Sequence, residues 1–373
     1  MNKQDITAKA QAILRANDRG GYTVPTAGLY PYQWNWDSVF VALGFSTFDE
    51  SRACDELETL FEAQWDDGLV PHIIFRRDDP EYFPGPSVWQ AGGPLPSSGI
   101  TQPPVAATVM RDLWTRSQDP AIRERIAAMV PALIRWHQWL HHFRVAEGAV
   151  LVTHPWESGR DNSPDWDAAA KVIDTEGVGE YTRRDLQHAD ASMRPTKEDY
   201  DRYIALVQYG VSTGWDHEKI CRQGPFRVAD PGMTFVLLRA CRDLEFLAAQ
   251  TGHTDCLGEL QQHTQTLEDG VQYLWDEDIG AFCSRDLITG NSTGNVASVS
   301  FLYAYADAGT EAQRAKMGAH WTRISTLAQF TVPSHDPEDA RFDAVRYWRG
   351  PIWLVVNYMI ARGFAEQGLE DRA

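Results

Sequence analysis

Four carboxylates, two tryptophans and an arginine crowd the stretch HPWESGRDNSPDWD at residues 154–167. A carboxylic acid that protonates a leaving group near neutral pH needs a raised pKa, from apolar surroundings or a second carboxylate. Trp156 and Trp166 offer the first condition, while Arg160 and a helix N-terminus oppose it. Ser163 followed by Pro164 is an N-cap and first-position signal, so Asp165 and Asp167 fall in a first turn, where the helix dipole favours acids. That is a sufficient structural account of those two. Asp161 and Glu157 remain as candidates for proton transfer, and residue types alone leave the choice open.

Three further clusters have the composition of a polyol or anion site. In YPYQWNWD, Tyr30, Trp34, Trp36 and the acid Asp37 stand just before a helical pattern. Aromatic faces stack on sugar rings and a carboxylate accepts hydroxyl hydrogen bonds, but taken alone the stretch reads more plainly as core aromatics with Asp37 as a helix cap. In RPTKEDY, Arg194 precedes Thr196 and Asp199 at capping-box spacing, with Tyr200 one turn in. A guanidinium fork beside a helix N-terminus is the best local site for a carboxylate, against the alternative of a surface arginine in a mobile loop. In RYWRGPIW, Tyr347, Trp348 and Trp353 accompany Arg346 and Arg349, and Gly350-Pro351 reads as a helix start. Packing of Trp353 in the core is the alternative there.

The elements that must hold these clusters are helical. Apolar residues at 3.6-residue spacing predict helices near 3–17, 36–47, 50–65, 104–117, 120–140, 196–212, 231–247, 255–275, 294–308, 310–327 and 351–367, with a short further one after Ser163-Pro164. Strand signals are few, and the best is a small hairpin at 280–290. The pattern implies one all-α domain over 1–373, a closed toroid of helical hairpins. Residues 66–103 form a long Gly/Pro-rich excursion carrying Tyr82 and Gln102, and 175–195 a shorter one; both read as lid or binding loops.

The chain has 373 residues, 43% hydrophobic, with a formal charge of −18. That charge argues against nucleic acid or an anionic membrane as partner, and requires a local positive site for any anionic substrate. The five cysteines lack metal-ligand or disulfide spacing and read as reduced packing residues. The reading is therefore of a cytoplasmic protein with no cofactor, no metal and a small-molecule substrate. A homo-oligomer is compatible with it.

Taken in order, Y-P-Y-Q-W-N-W-D at 30–37, W-E-S-G-R-D-N-S at 156–163, R-P-T-x-x-D-Y at 194–200 and Y-W-R-G-P-x-W at 347–353 resemble glycoside hydrolase family 63. Within it they are similar to the bacterial glucosylglycerate and mannosylglycerate hydrolases, the glucosylglycerate branch most. The resemblance implies an (α/α)6 barrel and inverting cleavage of the α-glycosidic bond to sugar and glycerate. It implies Asp161 as general acid. Tyr30, Trp34, Trp36, Asp37, Gln102, Trp156 and Trp348 would surround the sugar, while Tyr82, Arg194, Tyr200, Tyr347 and Trp353 would hold the glycerate. It also places the general base on a glutamate in a segment after the last motif, which these 373 residues do not contain. On that reading the barrel is incomplete, water activation would fall to Asp37 or Glu157, and this polypeptide alone is expected to be poorly active.

Three rival readings follow from the same residues. A trehalase or other α-glucosidase would gain nothing from Arg194. An inactive sugar-binding homologue would keep its ligand without Asp161. A sugar epimerase would need paired histidines, for which His137, His141 and His142 on one predicted helix are the candidates, although a solvated face is the plainer account.

Overall fold

A computed structural model describes residues 3–330 and 332–372. Helices dominate, joined by short strands and turns, and the chain divides into two compact units. The first comprises Met1–His141, Thr182–His188 and Ala240–Gln261; the second His142–Tyr181, Ala189–Arg239 and Gln262–Ala373.

In the first unit, helices Asn35–Phe45 and Glu50–Phe61 pack on each other, and Val39, Ala42 and Phe45 of one and Ala53, Leu57 and Leu60 of the other are buried. Asp49 caps the second helix by accepting from the Arg52 backbone N–H at 3.1 Å. Gln33–Trp34 pairs antiparallel with Ile73–Ile74, Trp34 opposite Ile73, which fixes the aromatic run at the head of the 35–45 helix. The 66–103 excursion is thus tied down at both ends. Leu69, Val70, Ile73, Ile74, Ile100 and Thr101 are buried, and Pro86–Trp89 forms a single helical turn. Its apolar residues, spaced irregularly among prolines and glycines, give no periodic signal but still find the core.

In the second unit, a four-stranded antiparallel sheet runs in the order Val145–Ala146, Ala149–Val152, Val228–Ala229, Arg285–Asp286. The hairpin expected at 280–290 is displaced: Ala281–Phe282 pairs back onto Trp275–Asp276, and Arg285–Asp286 joins the larger sheet. Helices Lys197–Ser212, His217–Gln223, Glu311–Leu327 and Leu354–Glu366 surround these strands in sequence. Residues 298–303, expected as α-helix, form a 3₁₀ turn. There Ser300 Oγ accepts from the Ala297 N–H and donates to the Phe282 carbonyl, competing with regular helical bonding. The last helix begins at Leu354, with Trp353 as N-cap, so Pro351 does not open it as expected. Gly363 on that helix faces this segment so closely that a Cβ would lie 2.3 Å from the Tyr305 nitrogen.

The five cysteines are free thiols. His137 is not on a solvated face: it is buried, and its Nδ1, like His141 Nε2, lies 3.5 Å from the Cys241 sulfur. No described helix is long and apolar enough to cross a membrane.

Candidate active site

The candidate residues fall into two groups, one in each unit. In the first unit, Tyr30 meets Trp34 edge-on with ring centroids 5.3 Å apart, and Tyr82 lies 6.4 Å from Trp34 and 4.8 Å from Tyr32. Tyr82 therefore does return to the aromatic run from the long excursion. Trp36 and Asp37 occupy the first turn of the 35–45 helix. Asp37 is not its cap: the N-cap is Trp34, and the Trp36 N–H is taken instead by Gln102 Oε1 at 3.2 Å. Trp34, Trp36 and Gln102 are buried, while Tyr30, Asp37 and Tyr82 are half-buried.

In the second unit the 154–167 stretch is a sequence of clamps. His154 opens a 3₁₀ turn, Pro155–Ser158, that Gly159 closes in the left-handed region at φ +68°. Its Nδ1 accepts from the Trp156 N–H and its Nε2 donates to the Tyr203 carbonyl, each at 3.0 Å. Those partners fix the neutral tautomer, and complete burial pushes the imidazole pKa down to about 3. Sequence reading passes over this histidine; its N-cap position before a Pro is the signal that could have found it.

Glu157 is fully buried and fully used. Arg144 Nε and Nη2 donate to Oε1 at 3.0 and 2.8 Å, and the Thr153 N–H and hydroxyl donate to Oε2 at 2.7 and 3.0 Å. Neither oxygen is left to exchange a proton with a substrate or to activate water, which removes Glu157 from both roles.

Asp165 and Asp167 are structural, as their position suggests, but through arginines as much as the helix start. Arg160, buried under the Trp166 ring, donates to Asp165 at 2.7 Å and to Asp230. Burial opposes charge on both acids. At Asp165 the Arg160 guanidinium and the Asn295 amide prevail and the pKa falls; at Asp230 burial prevails and the pKa rises. Arg349 grips Asp167 with two bonds, at 2.8 and 2.7 Å.

Asp161 differs from its neighbours. It is only partly buried, and its carbonyl accepts from the Tyr203 hydroxyl at 2.8 Å. Tyr203 in turn packs with Trp156 and Tyr200, at centroid distances of 5.5 and 5.9 Å.

Arg194 is buried rather than a surface arginine, with its guanidinium 4.1 Å above the Tyr347 ring. The capping box at Thr196 and Asp199 forms as expected, and it consumes N–H groups of the helix end, so the guanidinium rather than the helix end is suited to an anion. Tyr347 has φ +29°, a strained value for a tyrosine and of the kind that collects at functional sites. Its ring lies 5.2 Å from that of Trp353, whose indole N–H donates to the Tyr347 carbonyl at 3.0 Å; Trp348 and Trp353 stack at 4.3 Å. The two guanidiniums of the 346–353 motif bind protein carboxylates, Arg346 to Asp343 and Arg349 to Asp167. Among the described residues no group of His, Cys, Asp and Glu is arranged to hold a metal ion.

Residues 30–373 match the family model described as the mannosylglycerate hydrolase MGH1-like glycoside hydrolase domain. Mannosylglycerate hydrolase MGH1 of Selaginella moellendorffii is 41% identical over 98% of this chain and 77% of its own. The glucosylglycerate hydrolase of Mycolicibacterium hassiacum is 32% identical over 99% and 87%. Identity is thus higher to this mannosylglycerate hydrolase than to the branch expected to be nearer. The solved structure of the GH63 mannosylglycerate hydrolase from Thermus thermophilus in complex with Tris and D-glycerate matches at a TM-score of 0.94 and 41% identity, over 98% of this chain and 88% of that one. The fold class is accordingly the all-α (α/α)6 type.

Proposed function

This chain belongs to the mannosylglycerate hydrolase MGH1-like glycoside hydrolase family, and from that premise we propose that it hydrolyses the α-glycosidic bond of mannosylglycerate or glucosylglycerate, releasing the sugar and glycerate. It is an O-glycoside hydrolase acting on a small molecule, with 1–373 as one catalytic domain in the cytoplasm. The observation that carries the substrate class is Arg194, a buried guanidinium stacked on Tyr347 in a protein of formal charge −18. An acidic enzyme has use for such a group where its substrate carries a carboxylate.

In this reading Asp161 is the general acid. It gives its proton to the glycosidic oxygen as the bond from that oxygen to the anomeric carbon breaks, and glycerate leaves as an alcohol. Water adds to the opposite face of the anomeric carbon with inversion, releasing its own proton to a second carboxylate, the role that falls to Asp37 once Glu157 is engaged by Arg144 and Thr153. The resemblance assigns Arg194, Tyr200, Tyr347 and Trp353 in the second unit to the glycerate and Trp156 and Trp348 to the sugar, and in the first unit Tyr82 to the glycerate and Tyr30, Trp34, Trp36, Asp37 and Gln102 to the sugar. Stacked indoles and phenols suit the sugar's apolar faces, and the half-buried Asp37 its hydroxyls.

The test is glycerate release from mannosylglycerate and glucosylglycerate, with trehalose as the neutral comparison. Arg194→Ala is expected to cut kcat/KM on the glycerate glycosides by about 100-fold or more, as loss of one charge-assisted contact to a carboxylate should. Trehalose as the only substrate turned over would overturn the assignment.

A further inference from the structure

Asp161 stands between two buried side chains that do different work. Arg160 ties the loop to its own turn, through Asp165 and Ser163, and to Asp230 at the head of the Pro231–Gln250 helix. Asn162 reaches elsewhere. Its Oδ1 accepts from the Trp348 backbone N–H at 2.9 Å, and its carbonyl accepts from Arg349 at 3.3 Å. Asn162 is only 4% exposed, and its Nδ2, also buried, meets no acceptor among the described residues. Burying an amide that is half satisfied is costly, and an apolar residue of similar size carries no such cost. What the asparagine adds at this position is the bond from Oδ1.

That bond leads to the proposed anion site. The Trp348 N–H belongs to the turn in which Tyr347 is held at φ +29°, the Tyr347 N–H donates to the Met193 carbonyl at 3.1 Å, and the next residue, Arg194, lies over the Tyr347 ring. One hydrogen bond and one ring stack therefore separate the residue beside the acid from the guanidinium. Reversing the Asn162 amide would set an N–H against the Trp348 N–H, so the bond has a single workable sense.

We propose that Asn162 is a positioning residue that couples the Tyr347–Arg349 turn to Asp161, so that seating a carboxylate against Arg194 and Tyr347 sets the acid against the leaving oxygen. The inference rests on the reading of Asp161 as general acid and of Arg194 as the carboxylate's partner. Its consequence is that a carboxylate-bearing leaving group is recognised twice, once in binding and once in the geometry of protonation.

The experiment compares Asp161→Asn, Asn162→Ala and the double variant on mannosylglycerate and on α-mannosyl fluoride, whose leaving group needs little protonation. Asn162→Ala is expected to lower kcat on mannosylglycerate by about 10- to 100-fold with KM little changed, and to leave the fluoride within about 3-fold. In the Asp161→Asn background the same change should cost less than about 2-fold, because its route of action is already gone. Equal losses on both substrates, with a lowered melting temperature, would reduce Asn162 to a structural role and overturn the inference. So would independent, multiplying losses in the double variant, which leave the reading of Asp161 intact. An Asp161→Asn variant that loses equally on both substrates would remove that reading and the inference together.

Discussion

Glu157 and Asp161 are four positions apart and have opposite surroundings. The first has both oxygens taken by Arg144 and Thr153 at zero exposure; the second is only partly buried, on a backbone whose carbonyl accepts from the Tyr203 hydroxyl. Removing charge from a buried pair strands its partner, so Glu157→Gln is expected to cost about 3–5 kcal/mol of unfolding free energy in a denaturant titration. Turnover by the fraction that remains folded should stay within about tenfold, since no proton moves at this residue. Asp161→Asn should do the reverse. It loses about 10²–10⁴ in kcat on the glycerate glycoside, the usual contribution of a positioned acid, with a smaller loss of stability than Glu157→Gln. Activity loss that tracked melting temperature in both variants would contradict the assignment.

At the scale of elements, the 154–159 turn links acid stability to the site. His154 is held neutral by its two partners, with a pKa near 3 in the fold against about 6.5 when unfolded. A depressed histidine makes the unfolded state the stronger proton binder between those values. Stability is therefore full above pH 6.5 and declines as pH falls below it. From pH 7 to pH 5 this one group accounts for about 2 kcal/mol. His154→Asn keeps an acceptor for the Trp156 N–H and removes the titration, so its loss of stability over that interval should be smaller than the parent's by about that amount. Equal pH slopes in urea unfolding would show that the ring is not what titrates.

The same scale shows what a sequence carries and what it does not. Helices with a cap and an apolar stripe are legible: Asp230-Pro231 opens Pro231–Gln250, and Thr196 with Asp199 caps Lys197–Ser212. The four-stranded sheet is not, because its strands run two to four residues and pair across long separations, Val152 with Val228 and Val228 with Asp286. Alternation over so short a run has no statistical weight. Asp161 could be narrowed to one of two acids from residue types. The resemblance favours Asp161; that Glu157 is engaged by Arg144, 13 residues before it on another element, is not visible in the local sequence. The spending of Arg349 on Asp167 is a pairing across 182 residues, beyond any local pattern.

At the scale of the whole molecule, charge sets a condition on substrate capture. A chain of formal charge −18 repels a glycerate glycoside over the Debye length, which shrinks from about 30 Å at 0.01 M salt to about 8 Å at 0.15 M. The proposed attraction to Arg194 acts at contact, from a guanidinium only 7% exposed, where added salt screens weakly. The two effects oppose each other, and the long-range one is the more sensitive to salt. Raising ionic strength over that interval is therefore expected to lower KM for mannosylglycerate by about 2- to 5-fold. The neutral α-mannosyl fluoride should show no such trend. A KM for mannosylglycerate that rises with salt would mean that the guanidinium's attraction reaches beyond contact and outweighs the field of the remaining carboxylates.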